Sequence, residues 1–435
     1  MTISNDSIFY HIYPLGFCGA PENNDYCSSA VPSLLKISDN IEHLKQLGIN
    51  AVYLGPLFES ESHGYDTVDY YHVDRRLGTN ETLRTLVDNF HTAGISVILD
   101  AVFNHSGRNF FAFKDIKEKR NASKYTDWYL NINFNNNNCY NDGFSYEGWA
   151  GCQNLVKYNL KNCEIKEHLI QAALHWIKEF NIDGLRLDAA DVLDFNFMHE
   201  LSQRCRNEKH DFWFVGEVVH GDYSRWVKEA GLDSVTNYEL YKGSWSSFND
   251  NNFFEIAYSL NRQFGQNGIY KQLPMYNFLD NHDVNRIAST LKHQEHLLLA
   301  YGLLLTSPGI PSIYYGSEFG TLGKKENGND KQLRPAFDKL KFSELTEQIS
   351  KLVQIRKQNA ALYSGDYKEL FVSSKQFAFM RNFQNETIIA AFNCDFNSIT
   401  LNLKLQQNGI DLLCSETVNL ANLQMKPNSM HIIKV

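Results

Sequence analysis

Gly184-Leu185-Arg186-Leu187-Asp188-Ala189-Ala190-Asp191 decides how the rest of the chain is read. The octapeptide begins apolar and ends in charge. Leu185 and Leu187 alternate with Arg186 and Asp188, and this period of two predicts a strand with the arginine and the aspartate on one side. A cation beside an anion on an otherwise apolar strand is costly to bury without a purpose. The arginine favours the ionised aspartate, and an ionised aspartate at a strand's end can act as a nucleophile. A structural ion pair at a strand terminus explains the octapeptide equally well, so its surroundings must decide.

Working outward, the same rhythm recurs on both sides. Upstream, Ile8 to Phe17, Ala51 to Phe58 and Ile95 to Val102 read as strands one to three. Leu34, Ile37, Ile41 and Leu44 lie between the first two at helical spacing, and Leu83, Leu86, Val87 and Phe90 between the next two; Gly48 and Gly94 stop these helices. Downstream, strand four is Gly184 to Ala190, strand five Phe212 to Val218, strand six Ser234 to Leu240, strand seven Met275 to Asp280 and strand eight Ile310 to Tyr315. Helical patterns separate them, and a last one runs through Leu345, Ile349, Leu352 and Val353. Eight strands alternating with eight helices predict an α/β fold, a closed (β/α)8 TIM barrel. An open doubly wound sheet would want a glycine-rich phosphate turn after strand one, and none is present.

Two stretches break the rhythm. Residues 105–158 are rich in Asn, Tyr and Gly, and too long for an ordinary loop, which predicts an inserted subdomain after strand three. From about Gly365 the pattern becomes short and alternating, through Gln376 to Phe383, Thr387 to Asn393, Ser398 to Leu405 and Met430 to Val435. That predicts a C-terminal antiparallel β-sandwich. The expected division is therefore barrel over 1–104 and 159–362, insert over 105–158, and sandwich over 363–435.

Composition removes several classes of function. With 43% hydrophobic and 13% aromatic residues the chain is globular. A net charge of −9 without a Lys/Arg run argues against nucleic acid, and no apolar run approaches the ~20 residues of a membrane span. The polar start leads straight into strand one, so no secretory leader is expected and a cytoplasmic location is. The eight cysteines lack a C-x-x-C pair, so zinc is not expected. They read as reduced thiols; Cys18 with Cys27, and Cys139 with Cys152, would pair only in a secreted chain.

Active sites of such barrels lie at the C-terminal ends of the strands. Strand three ends in Asp100-Ala101-Val102-Phe103-Asn104-His105, strand four delivers Arg186 and Asp188, strand five ends in Gly216-Glu217-Val218-Val219-His220, and strand seven in Asp280-Asn281-His282-Asp283. Each brings a carboxylate to the same mouth. Crowded carboxylates raise one another's pKa values, so an ionised one can face a protonated one. Retaining glycoside hydrolysis needs that pairing. Asp188 beside Arg186 suits the nucleophile, Glu217 the acid/base, and Asp283 a third carboxylate that binds ring hydroxyls.

The segments DAVFNH (100–105), GLRLDAADV (184–192), GEVVH (216–220) and FLDNHD (278–283) resemble the conserved regions of the α-amylase family of glycoside hydrolases. They occur in that family's order, and the insert lies where the family carries its domain B. The resemblance implies that Asp188 is the nucleophile, Glu217 the acid/base and Asp283 the transition-state stabiliser, with Arg186, His105, His220 and His282 binding sugar. His63-Gly64-Tyr65-Asp66 resembles the strand-two loop whose tyrosine stacks on the reacting sugar.

Gln153 to Asn159 looks like a loose form of a motif that marks the neopullulanase, cyclomaltodextrinase and maltogenic amylase group, with Val156 and Tyr158 departing from it. Val219 stands where that group usually has tryptophan, and the group's extra N-terminal β domain is not expected ahead of a strand beginning near Ile8. Ala189 resembles enzymes that act on α-1,4 links. The implied partner is an α-glucan oligosaccharide or cyclodextrin. An exo-acting α-glucosidase, a glucosyltransferase, and a barrel that binds sugar or protein without catalysis are the rivals. No cofactor is required. Calcium stays open: Asn104 matches a position that is often a ligand, while the loop from Ala20 to Asp25 lacks the acidic, glycine-bearing pattern of calcium-binding relatives.

Overall fold

The computed structural model describes residues 2–326 and 329–435. Eight parallel strands follow one another around a barrel: β1 (Phe9–Ile12), β2 (Ala51–Leu54), β3 (Ser96–Ala101), β4 (Gly184–Leu187), β5 (Trp213–Gly216), β6 (Ser234–Val235), β7 (Tyr276–Phe278) and β8 (Ile310–Tyr314). β8 pairs with β1 through Phe9 and Ser312, and a parallel bridge from Thr236 to Tyr276 joins β6 to β7 and closes the ring. The expected TIM barrel is the observed fold.

Inside the barrel, Phe9, Tyr53, Ile98, Trp213, Val215 and Tyr276 form an apolar plug. Alternation then carries charge to the top of the same inward rows, because every second residue faces the same way. Asp100 follows Ile98 and Glu217 follows Val215. Asp100 and Arg186 are register partners across β3 and β4. The mouth is thus the polar upper layer of a filled barrel.

Several strands are shorter than their apolar runs. β1 stops because Pro14 opens a one-turn helix, Pro14–Phe17, where its missing N–H costs nothing. β2 ends at Leu54, ahead of Gly55-Pro56. β6 does not reach Leu240: Asn237 accepts a hydrogen bond from the Leu240 amide (3.1 Å) and caps a helix, Tyr238–Asn249, where the sequence pattern predicted strand.

Between β3 and β4 the chain forms the helix Phe111–Lys119 and a three-stranded antiparallel sheet of His105–Ser106, Cys152–Lys157 and Gly148–Trp149. The C-terminal region is antiparallel as expected, with more strands than the sequence suggested. A six-stranded sheet begins with Asp366–Val372, Gln376–Phe383 and Glu386–Asn393, and Ile399–Leu401 pairs with Leu423–Met425. This layer packs on the apolar helix Leu297–Thr306, whose Gly302 faces Met430 and Phe392 so closely that a Cβ would overlap the Met430 sulfur. All eight cysteines are unpaired, including the two couples that secretion would have joined. Among the described residues no helix is long and apolar enough to cross a membrane.

Candidate active site

Arg186 is the hub of the mouth. Its Nη1 donates to Asp100 Oδ1 and to Asp188 Oδ1, each at 2.8 Å, and its Nη2 lies 2.8 Å from Glu217 Oε2. The sequence reading gave Arg186 to Asp188 alone; β3 and β5 flank β4, so their inward carboxylates share the same guanidinium. Three carboxylates against one cation leave an excess of negative charge in a buried site. Burial pushes the Asp188 carboxyl up, Glu217 and Asp100 add to this, and Arg186 opposes it without cancelling it. Arg186 therefore does not by itself keep Asp188 ionised, as the sequence suggested. The raised carboxyl is the one that ends β4, and the other charges around it set how far it rises.

The backbone contributes as well. Ala189, directly after Asp188, has φ +47°, a left-handed conformation that alanine rarely adopts. The turn aims the Ala189 amide at Glu217 Oε2, 3.0 Å away. Glu217 Oε1 accepts from the Tyr238 hydroxyl at 3.4 Å, and Tyr238 accepts from Asn281 Nδ2 at 3.3 Å. The helix that replaced the end of strand six thus delivers Tyr238 to the site.

Tyr53 and Tyr65 donate to Asp100 Oδ2 at 2.6 and 3.0 Å. Burial above all, with the Asp100 charge, pushes both phenols up, so both stay protonated donors. The Tyr65 hydroxyl also meets His282 Nε2, and the two rings stack 5.4 Å apart at 9°. Tyr13 stacks on His282 at 5.8 Å and 12°. His282 Nε2 lies 3.0 Å from Asp283 Oδ2. Burial pushes the Asp283 carboxyl up, but His282, Arg334 and Arg186 outweigh it and hold it below the usual range. Its side chain is 39% exposed to the mouth.

His105 is buried with both ring nitrogens engaged. Asn104 Nδ2 donates to Nδ1 (3.1 Å), and Nε2 donates to the Tyr65 carbonyl (3.0 Å). Burial pushes its pKa down to about 4, so the ring is neutral near pH 7. It holds the Tyr65 backbone. His220 is exposed, three residues beyond Glu217 at the rim. Structure thus gathers Tyr65, Arg186, Asp188, Glu217, His282 and Asp283 into one cluster, with His105 behind it and His220 at its edge.

Arg334, Tyr13 and Tyr53 were missed by the sequence reading. Arg334 Nη2 lies 3.1 Å from Asp283 Oδ1 and 3.0 Å from Asp330 Oδ2, and its guanidinium lies over the Tyr13 ring at 4.5 Å. It comes from an unpatterned stretch after β8, and nothing in its neighbours signalled it. Tyr53 did carry a signal, because it alternates inward between Val52 and Leu54. Beyond Tyr13 and Arg334 an open groove of about 780 Å³ runs along Ala20 to Asn23, Ser62, His63 and Asp330. Among the described residues no group of three or more His, Cys, Asp or Glu side chains is placed to hold a metal.

A barrel whose strand ends gather these carboxylates around one arginine defines the glycoside hydrolase class, and the α-amylase catalytic-domain model matches residues 11–344. The chain belongs to the α-amylase family. The relatives it matches within that family include enzymes named cyclomaltodextrinase, maltogenic α-amylase and neopullulanase. A cyclomaltodextrinase of Thermoanaerobacter pseudethanolicus is 31% identical over 99% of this chain and 78% of its own length. A maltogenic α-amylase of Bacillus acidopullulyticus is 32% identical over 99% and 77%. Among solved structures, a cyclomaltodextrinase superposes with a TM-score of 0.88 at 30% identity, over 99% of this chain and 78% of that one. The debranching enzyme of Nostoc punctiforme, soaked with acarbose, gives 0.83 at 29%, over 99% and 98%.

Proposed function

We propose that the protein is a retaining α-glucan hydrolase that cleaves α-1,4 bonds of maltooligosaccharides or cyclodextrins through a covalent glucosyl-Asp188 intermediate. The observation that carries this is the single guanidinium of Arg186 spanning Asp188 and Glu217. Carboxyls that share one arginine are close together, which favours nucleophilic attack over the water-mediated inverting route. Glu217 donates a proton to the leaving oxygen, then takes one from the attacking water. Asp283, ionised and partly open to the mouth, binds ring hydroxyls and favours the oxocarbenium-like state. Tyr65 stacks under the reacting sugar, with His282 and Arg186 as polar contacts and His105 fixing the Tyr65 backbone. His220 lies beside the leaving group. Some glucosyl transfer to sugar hydroxyls follows from the same intermediate.

Two observations bear on the substrate. The relatives include enzymes named cyclomaltodextrinase and maltogenic α-amylase. Glu217, the proposed acid, does not line the groove, which lies beside Arg334, the ion-pair partner of Asp283. The groove has room for further glucosyl units ahead of the reacting one, which disfavours an exo-acting α-glucosidase that closes around a single unit. Retention of Asp188, Glu217 and Asp283 disfavours a non-catalytic barrel. A cytoplasmic location belongs to the same proposal and rests on the unpaired thiols. Digestion of maltoheptaose and of a cyclodextrin, with products separated by chromatography, tests it. Maltose and maltotriose are the expected early products, with transfer products at high substrate. Glucose alone, or no cleavage, overturns it.

A further inference from the structure

Calcium, left open by the sequence, would need six to eight oxygens converging on the first loop. The oxygens there are already taken. Arg76 is buried, its side chain 5% exposed. Its Nη1 donates to the carbonyls of Pro21 (3.0 Å), Glu22 (3.1 Å) and Ser62 (2.7 Å). Nη2 donates to Ser60 Oγ (2.8 Å) and Asp74 Oδ2 (2.7 Å), and Nε to Asp74 Oδ1 (2.9 Å). Three carbonyls from two separate loops, a hydroxyl and a carboxylate therefore surround one positive charge. Carbonyls that converge on one point from two loops repel one another unless a donor or a cation lies between them. A planar fork fills that centre, so the same oxygens cannot form the roughly spherical shell calcium requires. Of the two acids of this loop, Glu22 pairs with Lys331 (2.9 Å), and Asp25 is turned onto the amides of Cys27 and Ser28, both at 3.0 Å.

We propose that Arg76 is the built-in cation of this loop pair, in the place of a metal ion. It fastens residues 20–24 to residues 60–63, the two segments that form one wall of the groove. Asn24 adds a second stitch, its amide to the Glu61 carbonyl (2.9 Å) and its side chain to the Ser60 carbonyl (3.1 Å). His63 and Tyr65 continue from the fastened segment into the site. Arg76 is thus a positioning residue: it touches no substrate and sets the wall against which the further sugar units lie. That last step rests on the proposed glucan chemistry; the fastening does not.

The test has two arms. Protein dialysed against EDTA and titrated with calcium chloride to about 5 mM, the range of weak calcium modules, gives no binding heat, and hydrogen exchange at residues 20–26 and 59–66 is unchanged by the ion. Saturable calcium binding that protects residues 20–26 overturns the proposal. Arg76→Lys keeps a charge and loses the fork. It raises exchange in both segments but not in the C-terminal sheet, and it raises KM for maltoheptaose about fivefold with kcat within about twofold. Unchanged exchange in that variant also overturns the proposal. Calorimetry and exchange hold whatever the substrate, so a protein inert on glucans would sink the functional reading and leave the Arg76 assignment standing or falling on its own data.

Discussion

Two buried arginine sites in this molecule are built on opposite plans. At the barrel mouth, Arg186 meets three carboxylates, each at 2.8 Å. At the seam between barrel and C-terminal sheet, Arg356 and Arg381 meet carbonyl oxygens instead. Arg356 donates to Leu305 (2.8 Å), Ser307 (3.1 Å) and Gly309; Arg381 donates to Thr306 (2.7 Å), Leu362 (2.8 Å) and Gly365 (2.9 Å). Most of these carbonyls close the helix Leu297–Thr306 and its following turn, the negative end of its dipole. Carbonyls cannot take up a proton near neutral pH, so the seam's acceptors have one charge state and only hold parts together. At the mouth the acceptors outnumber the cation and can be protonated, so the charge there can move. The kind of acceptor around a buried arginine separates a site for chemistry from a clamp.

Mutations can break this contrast. The largest effect is expected at the mouth: Asp188→Asn and Glu217→Gln each lower kcat/KM on maltoheptaose by at least about 10³-fold. Their unfolding midpoints in urea stay level or rise, because each removes a crowded buried charge. A large loss of stability in either variant would make the mouth a clamp as well. At the seam, Arg381→Met strands four carbonyls, those of Asp366, Thr306, Leu362 and Gly365, and costs roughly 3 kcal/mol in urea unfolding, while kcat per folded molecule stays within about twofold. Loss of kcat there would dissolve the distinction from the other side.

A smaller effect sharpens the contrast by pH. His105 has its pKa depressed from 6.5 to about 4 by burial, so the unfolded chain binds the proton first. Its contribution is full above pH 6.5 and is lost as pH falls towards 4, a span worth roughly 3 kcal/mol. Urea unfolding between pH 7 and 4.5 should follow that slope, and His105→Gln should flatten it with the midpoint at pH 4.5 least affected. Arg381→Met should leave the slope unchanged, since no seam acceptor titrates in this window.

Much of this was legible in the sequence because barrels are periodic. Strands buried on both faces appear as short apolar runs, and the charged residue that ends each run marks the mouth. Asp188, Glu217 and Asp283 could be found in this way, one strand at a time. What the pattern could not give was sharing. Asp100 was visible as a strand-end carboxylate, but its claim on Arg186 depends on the stagger of β3 against β4. Arg334 arrives from a stretch without periodicity, so only the folded chain brings it to Asp283. Tyr238 was read as strand because it lies in the run Ser234 to Leu240, which opens with β-branched Val235 and Thr236; the Asn237 cap that turns the segment into helix was the available signal.

Ala189 carries one more consequence. Its identity resembles a marker of which glucosidic link is cut, yet the main chain there is coiled the wrong way for an L-residue, with φ +47°. Valine, isoleucine or threonine would resist that twist, and relaxing it would swing the amide off Glu217 Oε2. A side chain at this position must therefore satisfy the hinge before any sugar arrives, and a change made there to retarget the site would detune the proposed proton donor at the same stroke.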